Sequence, residues 1–158
     1  MKPGELSKIV VAMCLPILLG TPFIFMGVEP LQEITNKLKL PVFAPPTWVF
    51  PLTWAYIYAG LGIALWLIWE MPRSVARNRA LVVYLVQLLL NLAFNLLLYA
   101  WNKTGLAFFV LVVAWFGIVI LLKLFYKQRP VAAYLIIPYF IWRTYSIFLA
   151  YFTWQLNS

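Results

Sequence analysis

The sequence predicts an all-α membrane protein, a single domain over residues 1–158 built as a bundle of five transmembrane helices. Of the 158 residues, 65% are hydrophobic and 10% are charged, and the mean hydropathy is +0.93. A helix needs about 20 mostly apolar residues to cross a hydrocarbon core roughly 30 Å thick. The stretches that meet this length are residues 7–27, 47–70, 79–101, 104–126 and 131–155.

The pattern within these stretches favours helices over barrel strands. None of them alternates between apolar and polar residues, as the roughly 10-residue strands of a membrane barrel do. The connections 71–78, 102–103 and 127–130 are short, which predicts antiparallel neighbours. The first loop, residues 28–46, is long and holds Glu29 and Glu33, and a long loop in a compact bundle is typically functional.

The basic residues predict how the chain is oriented in the bilayer. Three lie on one side of the predicted spans, at Lys37, Lys39 and Lys103. Eight lie on the other, at Lys2, Lys8, Arg73, Arg77, Arg79, Lys123, Lys127 and Arg129. This bias predicts a cytoplasmic N-terminus and a C-terminus outside, in a membrane that the sequence does not identify. Because the charges flank spans, the predicted partner is the lipid bilayer and not a nucleic acid.

The composition excludes most catalytic and metal chemistry. The chain has no histidine, no aspartate and a single cysteine, which excludes Ser–His–Asp and Cys–His catalysis and histidine-ligated zinc or haem. None of its four glutamates lies inside a span, although Glu70 ends the second. We therefore expect a binding protein rather than an enzyme, with no catalytic residue, no metal site and no required cofactor.

A polar stripe runs along the third span. Its members recur at spacings of three and four and therefore share one helix face, at Tyr84, Gln87, Asn91, Asn95 and Tyr99. In lipid such a face turns towards protein or a wet cavity. Two interpretations remain open: hydrogen bonding between helices, and a ligand site.

Aromatic side chains on two other spans lie at similar depths. The second span carries Trp54 and Tyr58, and the fifth carries Tyr139, Trp142, Tyr145 and Ser146. At 1.5 Å per residue, Trp54 lies roughly 9 Å below the outer aromatic belt, Asn95 roughly 11 Å and Trp142 roughly 17–18 Å. An apolar cavity with a few polar groups is the usual construction of a small-molecule site, and flat rings stack on tryptophan and tyrosine.

Arg143 is predicted near the middle of the bilayer, roughly 16 Å below the same belt. A charge there costs about 2.5–3.5 kcal/mol on insertion scales, and no span contains a carboxylate to pair with it. Its role is open between a structural arginine satisfied by neighbours, an anchor for a ligand carboxylate, and a subunit contact. A small transporter that uses Arg143 is the corresponding alternative function.

Four segments together resemble one known family. They are PVFAPPTWVFPLTW at 41–54, QLLLNLAF at 87–94, PYFIW at 138–142 and WQLN at 154–157. Their order and spacing, the five-span layout and the long first loop are similar to those of the TspO/MBR family, whose members are called translocator protein, peripheral benzodiazepine receptor or tryptophan-rich sensory protein. The resemblance covers about residues 34–157.

The resemblance implies a five-helix bundle, a homodimer, and binding of porphyrins such as protoporphyrin IX and haem, of sterols including cholesterol, and of isoquinoline or benzodiazepine-type drugs. It implies a role as sensor or carrier, with light- and oxygen-dependent porphyrin breakdown as an alternative.

The resemblance also implies a pocket between the first, second, third and fifth spans, beneath the first loop. The positions matching that pocket are Phe43, Phe50, Trp54, Asn91, Trp142, Tyr145, Ser146 and Leu149. The predicted ligand-binding set adds to these Tyr58, Asn95, Tyr139 and Arg143.

The chain departs from the family pattern at several positions. Tryptophan and tyrosine early in the loop are replaced by Ile34 and Thr35, and a further loop tryptophan is replaced by Phe43. Arg143 follows the PYxxW tryptophan where a small residue is usual, and Gln155 stands where a sterol-recognition pattern ends in a basic residue. We therefore expect tetrapyrroles, rather than sterols, as ligands.

Overall fold

The fold is an all-helical bundle in a computed structural model that describes residues 3–20, with side chains from Leu6 onward, and residues 36–158. The helices are α1 (Pro3–Gly20), α2 (Val49–Trp69), α3 (Val75–Asn95), α4 (Thr104–Gln128), α5 (Pro130–Tyr134) and α6 (Ile137–Asn157). A π-helical turn, Leu96–Ala100, continues α3. No strand occurs within the described ranges, which confirms the predicted fold class.

Among the described residues, four helical segments are long and apolar enough to cross a membrane. They are Val49–Trp69, Val75–Ala100, Thr104–Gln128 and Pro130–Asn157. The apolar part of α1, Leu6–Gly20, is shorter. The rest of the predicted first span, residues 21–27, lies outside the described residues, as do Glu29 and Glu33 of the first loop.

The fifth predicted span, residues 131–155, is not one continuous helix. The chain turns at Leu135 and Ile136, so that α5 and α6 are separate. Pro138 has no N–H to donate to the carbonyl of Tyr134, and the helix therefore breaks at that carbonyl. The Ile136 amide donates to the Ala133 carbonyl instead (2.9 Å), which tightens the turn. The displaced backbone packs on α2, where a Cβ on Gly60 would lie 2.8 Å from the Leu135 carbonyl oxygen.

The third helix begins at Val75, four residues before the predicted start at 79. Ser74 caps it, because its hydroxyl oxygen accepts a hydrogen bond from the Arg77 amide (3.1 Å). The Arg77 guanidinium in turn donates to the Trp69 carbonyl at the end of α2 (2.9 Å). The cap and this contact shorten the α2–α3 connection to residues 70–74.

Part of the polar stripe on α3 holds helices together. The Tyr84 hydroxyl donates to the Leu61 carbonyl of α2 (3.0 Å). The Gln87 amide donates to the Ala114 carbonyl of α4 (2.7 Å). A Cβ on Gly117 would collide with this amide, so a residue without a side chain lets Gln87 reach the backbone of α4. For these two stripe residues, helix–helix hydrogen bonding is the observed role.

The packing leaves a space on one side of the bundle. The close helix pairs include α1 with α2, α3 with α4, and α4 with α6, whereas α2 and α6 do not approach closely. Side chains between α2 and α6 therefore border a gap, and the candidate site lies there.

Candidate ligand-binding site

A cavity of about 810 Å³ lies between α1, α2, the end of α3 and α6. Leu38, Leu40, Ala44, Thr47 and Trp48, from the first loop and the residues that follow it, border one end of the cavity, called here the loop end. Sites for small molecules typically measure roughly 300–1,000 Å³ and are mostly apolar with a few polar groups. The size and lining of this space are those of a small-molecule site.

Aromatic rings from α2 and α6 form much of its wall. Trp54 stacks on Tyr58 with 5.1 Å between ring centroids and 25° between planes. Phe50 meets Trp142 edge to face at 5.7 Å. All four line the cavity. Such surfaces offer flat faces on which a planar ligand can stack.

Arg143 also lines the cavity, ten residues along α6 from Thr153 and therefore farther from the first loop; the part of the lining formed by Arg143, Tyr58 and Phe94 is called here the far end. Arg143 is one of the largest fully buried side chains in the described part of the chain, with 1% of its surface exposed. Its Nη2 donates to Asn91 Oδ1 (2.6 Å) and to the Tyr139 hydroxyl (2.8 Å). Asn91 and Tyr139 do not line the cavity; they hold the guanidinium in place.

The other predicted residues divide between the cavity and its surroundings. Asn95 lines the cavity and donates to the Gly20 carbonyl of α1 (3.0 Å). Ser146 and Leu149 also line it, but the Ser146 hydroxyl donates to the Trp142 carbonyl of its own helix (2.7 Å). Phe43 and Tyr145 lie outside the lining, where the Tyr145 hydroxyl donates to the Phe43 carbonyl (2.9 Å) and ties the first loop to α6.

Several lining residues were absent from the sequence-based set. Those on α6 are Ala150 and Thr153, and α1 contributes Met13 and Ile17. The α6 pair continues the spacing of three to four residues that starts at Arg143, Ser146 and Leu149, so helical periodicity alone would have found it. The α1 pair belongs to a generic apolar helix, in which no sequence signal marks the face that meets the cavity.

The described part of the first loop is held at its base by Asn157, the last residue of α6. The Asn157 Oδ1 accepts from the Lys39 amide (3.0 Å) and its Nδ2 donates to the Lys39 carbonyl (2.9 Å). This side chain therefore satisfies both backbone groups of one loop residue, as a neighbouring strand would. The contact fixes the loop beside the loop end of the cavity.

Asn157→Ala is expected to release this loop, because two hydrogen bonds of about 1 kcal/mol each are lost. Hydrogen–deuterium exchange at residues 38–40 should accelerate by about thirtyfold. Gln155→Ala, at an exposed position on the same helix end, should leave that exchange unchanged. Unaltered exchange in Asn157→Ala would show that the loop is held by other contacts.

Comparison with known proteins matches this chain to one family. The model of the TspO/MBR family matches residues 12–155. The chain is 28% identical to a tryptophan-rich sensory protein of Cereibacter sphaeroides, over 80% of this chain and 78% of that protein. It is 30% identical to translocator protein 2 of Mus musculus, over 87% of each chain, and 27% identical to the translocator protein of Homo sapiens, over 76% and 72%. The family match and the apolar spanning helices establish that this chain is an integral membrane protein and a member of the TspO/MBR family.

Proposed function

We propose that this chain binds a planar hydrophobic ligand of the tetrapyrrole class, protoporphyrin IX or haem, in the cavity between α1, α2, α3 and α6. It acts in this proposal as a membrane sensor or carrier of that ligand. The observation that carries the proposal is the aromatic cavity of about 810 Å³. Its relatives are called a sensory protein and translocator proteins, which is consistent with a ligand that is sensed or carried.

The lining suits a ring system better than a flexible chain. Trp54 and Trp142 line the cavity from two different helices, together with the rings of Phe50 and Tyr58. Because the chain has no histidine, haem would be held through its ring and its acidic substituents, without an imidazole ligand to the iron. Metal-free protoporphyrin should therefore bind about as well as haem.

The distribution of basic residues supports one side of the membrane as the side from which the ligand enters the cavity. The side of the bundle that carries Arg73, Arg77 and Arg79 is the more basic one, and basic loops face the cytoplasm. The first loop and the loop end of the cavity lie on the other side. In this proposal the ligand reaches the cavity from the non-cytoplasmic leaflet.

A variant that fills the cavity tests the proposal. Leu149 lines the cavity, and Leu149→Trp places an indole in the space that the ligand needs. Overpacking costs about 1–3 kcal/mol, so the affinity for protoporphyrin IX should fall by about tenfold or more. The measurement is an equilibrium titration in detergent micelles, followed by the shift of the porphyrin absorbance band.

Leu89→Trp is the matched control, because Leu89 of α3 is 49% exposed and does not line the cavity. The same substitution there should leave porphyrin affinity unchanged. Thermal unfolding of both variants verifies that each is folded. Equal affinity in Leu149→Trp and the unmodified protein would mean that porphyrin binds elsewhere.

A further inference from the structure

We infer that the far end of the cavity is an anion site in which Arg143 binds a carboxylate, so that the ligand is an amphipathic acid held with its acid group deepest. This inference rests on the proposed function, because it describes how the same cavity recognises its ligand. It adds the chemical class of the ligand, which is a planar apolar body that bears a carboxylate. It also adds the orientation of that ligand in the cavity.

Arg143 carries a buried positive charge. A guanidinium stays protonated in proteins, and this one is 1% exposed. Its hydrogen-bond partners, Asn91 and Tyr139, are neutral. The ion pair found among the described residues, Lys8 with Glu70 at 2.8 Å, lies at the opposite ends of α1 and α2 from the first loop. The positive charge of Arg143 is therefore buried beside the cavity without a counter-charge from the described part of the chain, a costly arrangement.

Arg143 uses only part of its hydrogen-bonding capacity among the described residues. Both contacts made to described residues use Nη2, and Nε is buried without a partner. A guanidinium offers five N–H donors in a planar fork that matches the two oxygens of a carboxylate. The donors left over on Arg143 fit an acceptor that approaches from the cavity.

The surroundings exclude other ligand charges. The guanidinium lies 5.1 Å from the Tyr139 ring centroid and 5.7 Å from those of Trp54 and Phe94. These ring faces stabilise the cation in part but do not neutralise it. A cationic ligand would be repelled, and a phosphate dianion would need more donors than one arginine provides. A single carboxylate balances the charge, while its apolar body lies against Phe50, Trp54 and Trp142.

A comparison of an acid with its neutral ester tests the inference. The monomethyl ester of protoporphyrin IX keeps one carboxylic acid and the dimethyl ester keeps none, so the two compounds share one ring and differ by a single charge. The unmodified protein should bind the acid more tightly by about tenfold to a hundredfold, the range expected for hydrogen bonds between charged groups. The preference should persist at high salt, because a buried pair is screened much less than an exposed one.

Three variants test whether the preference for the acid over the ester depends on Arg143. Arg143→Leu should bind acid and ester with similar affinity. The double variant Asn91→Leu with Arg143→Leu, which leaves no unpaired amide, should behave in the same way and serves if the single variant does not fold. Lys103→Leu removes an exposed cation from the turn before α4 and should keep the full preference.

The outcomes separate this inference from the proposed function. If the unmodified protein binds acid and ester equally, or if the preference survives in Arg143→Leu, the anion site is disproved while porphyrin binding in the cavity stands. If the preference disappears in Lys103→Leu instead, surface charge is its source. If the unmodified protein binds neither compound, the proposed function itself fails.

Discussion

Replacing Asn91 with leucine is expected to lower the free energy of unfolding by about 2–3 kcal/mol, but only while Arg143 is present. The Asn91 Oδ1 accepts the short hydrogen bond from Arg143 Nη2 (2.6 Å) in a site where both side chains are 1% exposed. Without this acceptor, the buried Arg143 guanidinium keeps only one of its two hydrogen bonds. No described carboxylate at the far end of the cavity replaces the lost partner.

A double-mutant cycle measures this dependence. The free energies of unfolding of the unmodified protein, Asn91→Leu, Arg143→Leu and the double variant are obtained from denaturant titrations in micelles. In the Arg143→Leu background, Asn91→Leu should cost less than about 1 kcal/mol, because replacing both partners of a hydrogen bond by apolar groups is nearly neutral. The coupling energy should therefore be about 2 kcal/mol, within the range for contacting residues.

Asn95→Leu is the control for this cycle. Asn95 lies one helical turn from Asn91 and is also buried, but its amide donates to the Gly20 carbonyl, a neutral partner. Asn95→Leu should lower the free energy of unfolding by about 1 kcal/mol, and this cost should be the same with and without Arg143. An Asn91→Leu cost that is identical in both backgrounds would mean that Asn91 acts through packing, and not through the charge of Arg143.

Helical geometry made much of the site predictable from sequence. A fixed rise per residue and short connections place residues of antiparallel spans at calculable depths. Counting in this way gave overlapping depths to Trp54, Asn95 and Trp142, and in the structure all three line one cavity. The sequence left the role of Arg143 open between satisfied neighbours, a ligand carboxylate and a subunit contact. In the structure, its hydrogen-bond partners among the described residues are Asn91 and Tyr139.

Rotation about the helix axis was harder to predict than depth. Gln87 and Asn91 share a face of α3, yet Gln87 bonds the backbone of α4 and Asn91 bonds Arg143 of α6. Which neighbour a stripe residue meets depends on how helices cross, and spacing alone does not give the crossing. Four of the stripe residues make hydrogen bonds to other helices: Tyr84, Gln87, Asn91 and Asn95. Asn95 also lines the cavity and Asn91 holds Arg143, so a role of these two in ligand binding stays a prediction.

Contacts between residues distant in sequence were also missed. Lys39 and Asn157 are 118 positions apart, and Phe43 and Tyr145 are 102 apart; no periodicity links such pairs. The break of the fifth span has a local cause in Pro138. Its position in the fold depends on Gly60, because the displaced Leu135 carbonyl needs a neighbour without a side chain.

Gly60→Ala is accordingly expected to destabilise the bundle by about 1–3 kcal/mol, the cost of overpacking a tight contact. The added methyl group would lie 2.8 Å from the Leu135 carbonyl oxygen. That oxygen belongs to the backbone between α5 and α6, so relief requires a shift of a helix and not a rotation of a side chain. The measurement is the free energy of unfolding in micelles.

Gly105→Ala provides the same substitution with a different neighbour. Its added methyl group would lie 3.0 Å from Nε1 of the Trp154 side chain, which can adjust by a few tenths of an ångström more cheaply than a backbone can. We expect Gly60→Ala to lower the free energy of unfolding clearly more than Gly105→Ala.

Because α6 carries Trp142 and Arg143, a shift at Leu135 should also move the wall of the cavity. Porphyrin affinity should therefore fall in Gly60→Ala and not in Gly105→Ala. Equal stability and affinity in the two variants would show that the α5–α6 turn moves freely against α2 and does not fix the position of the site.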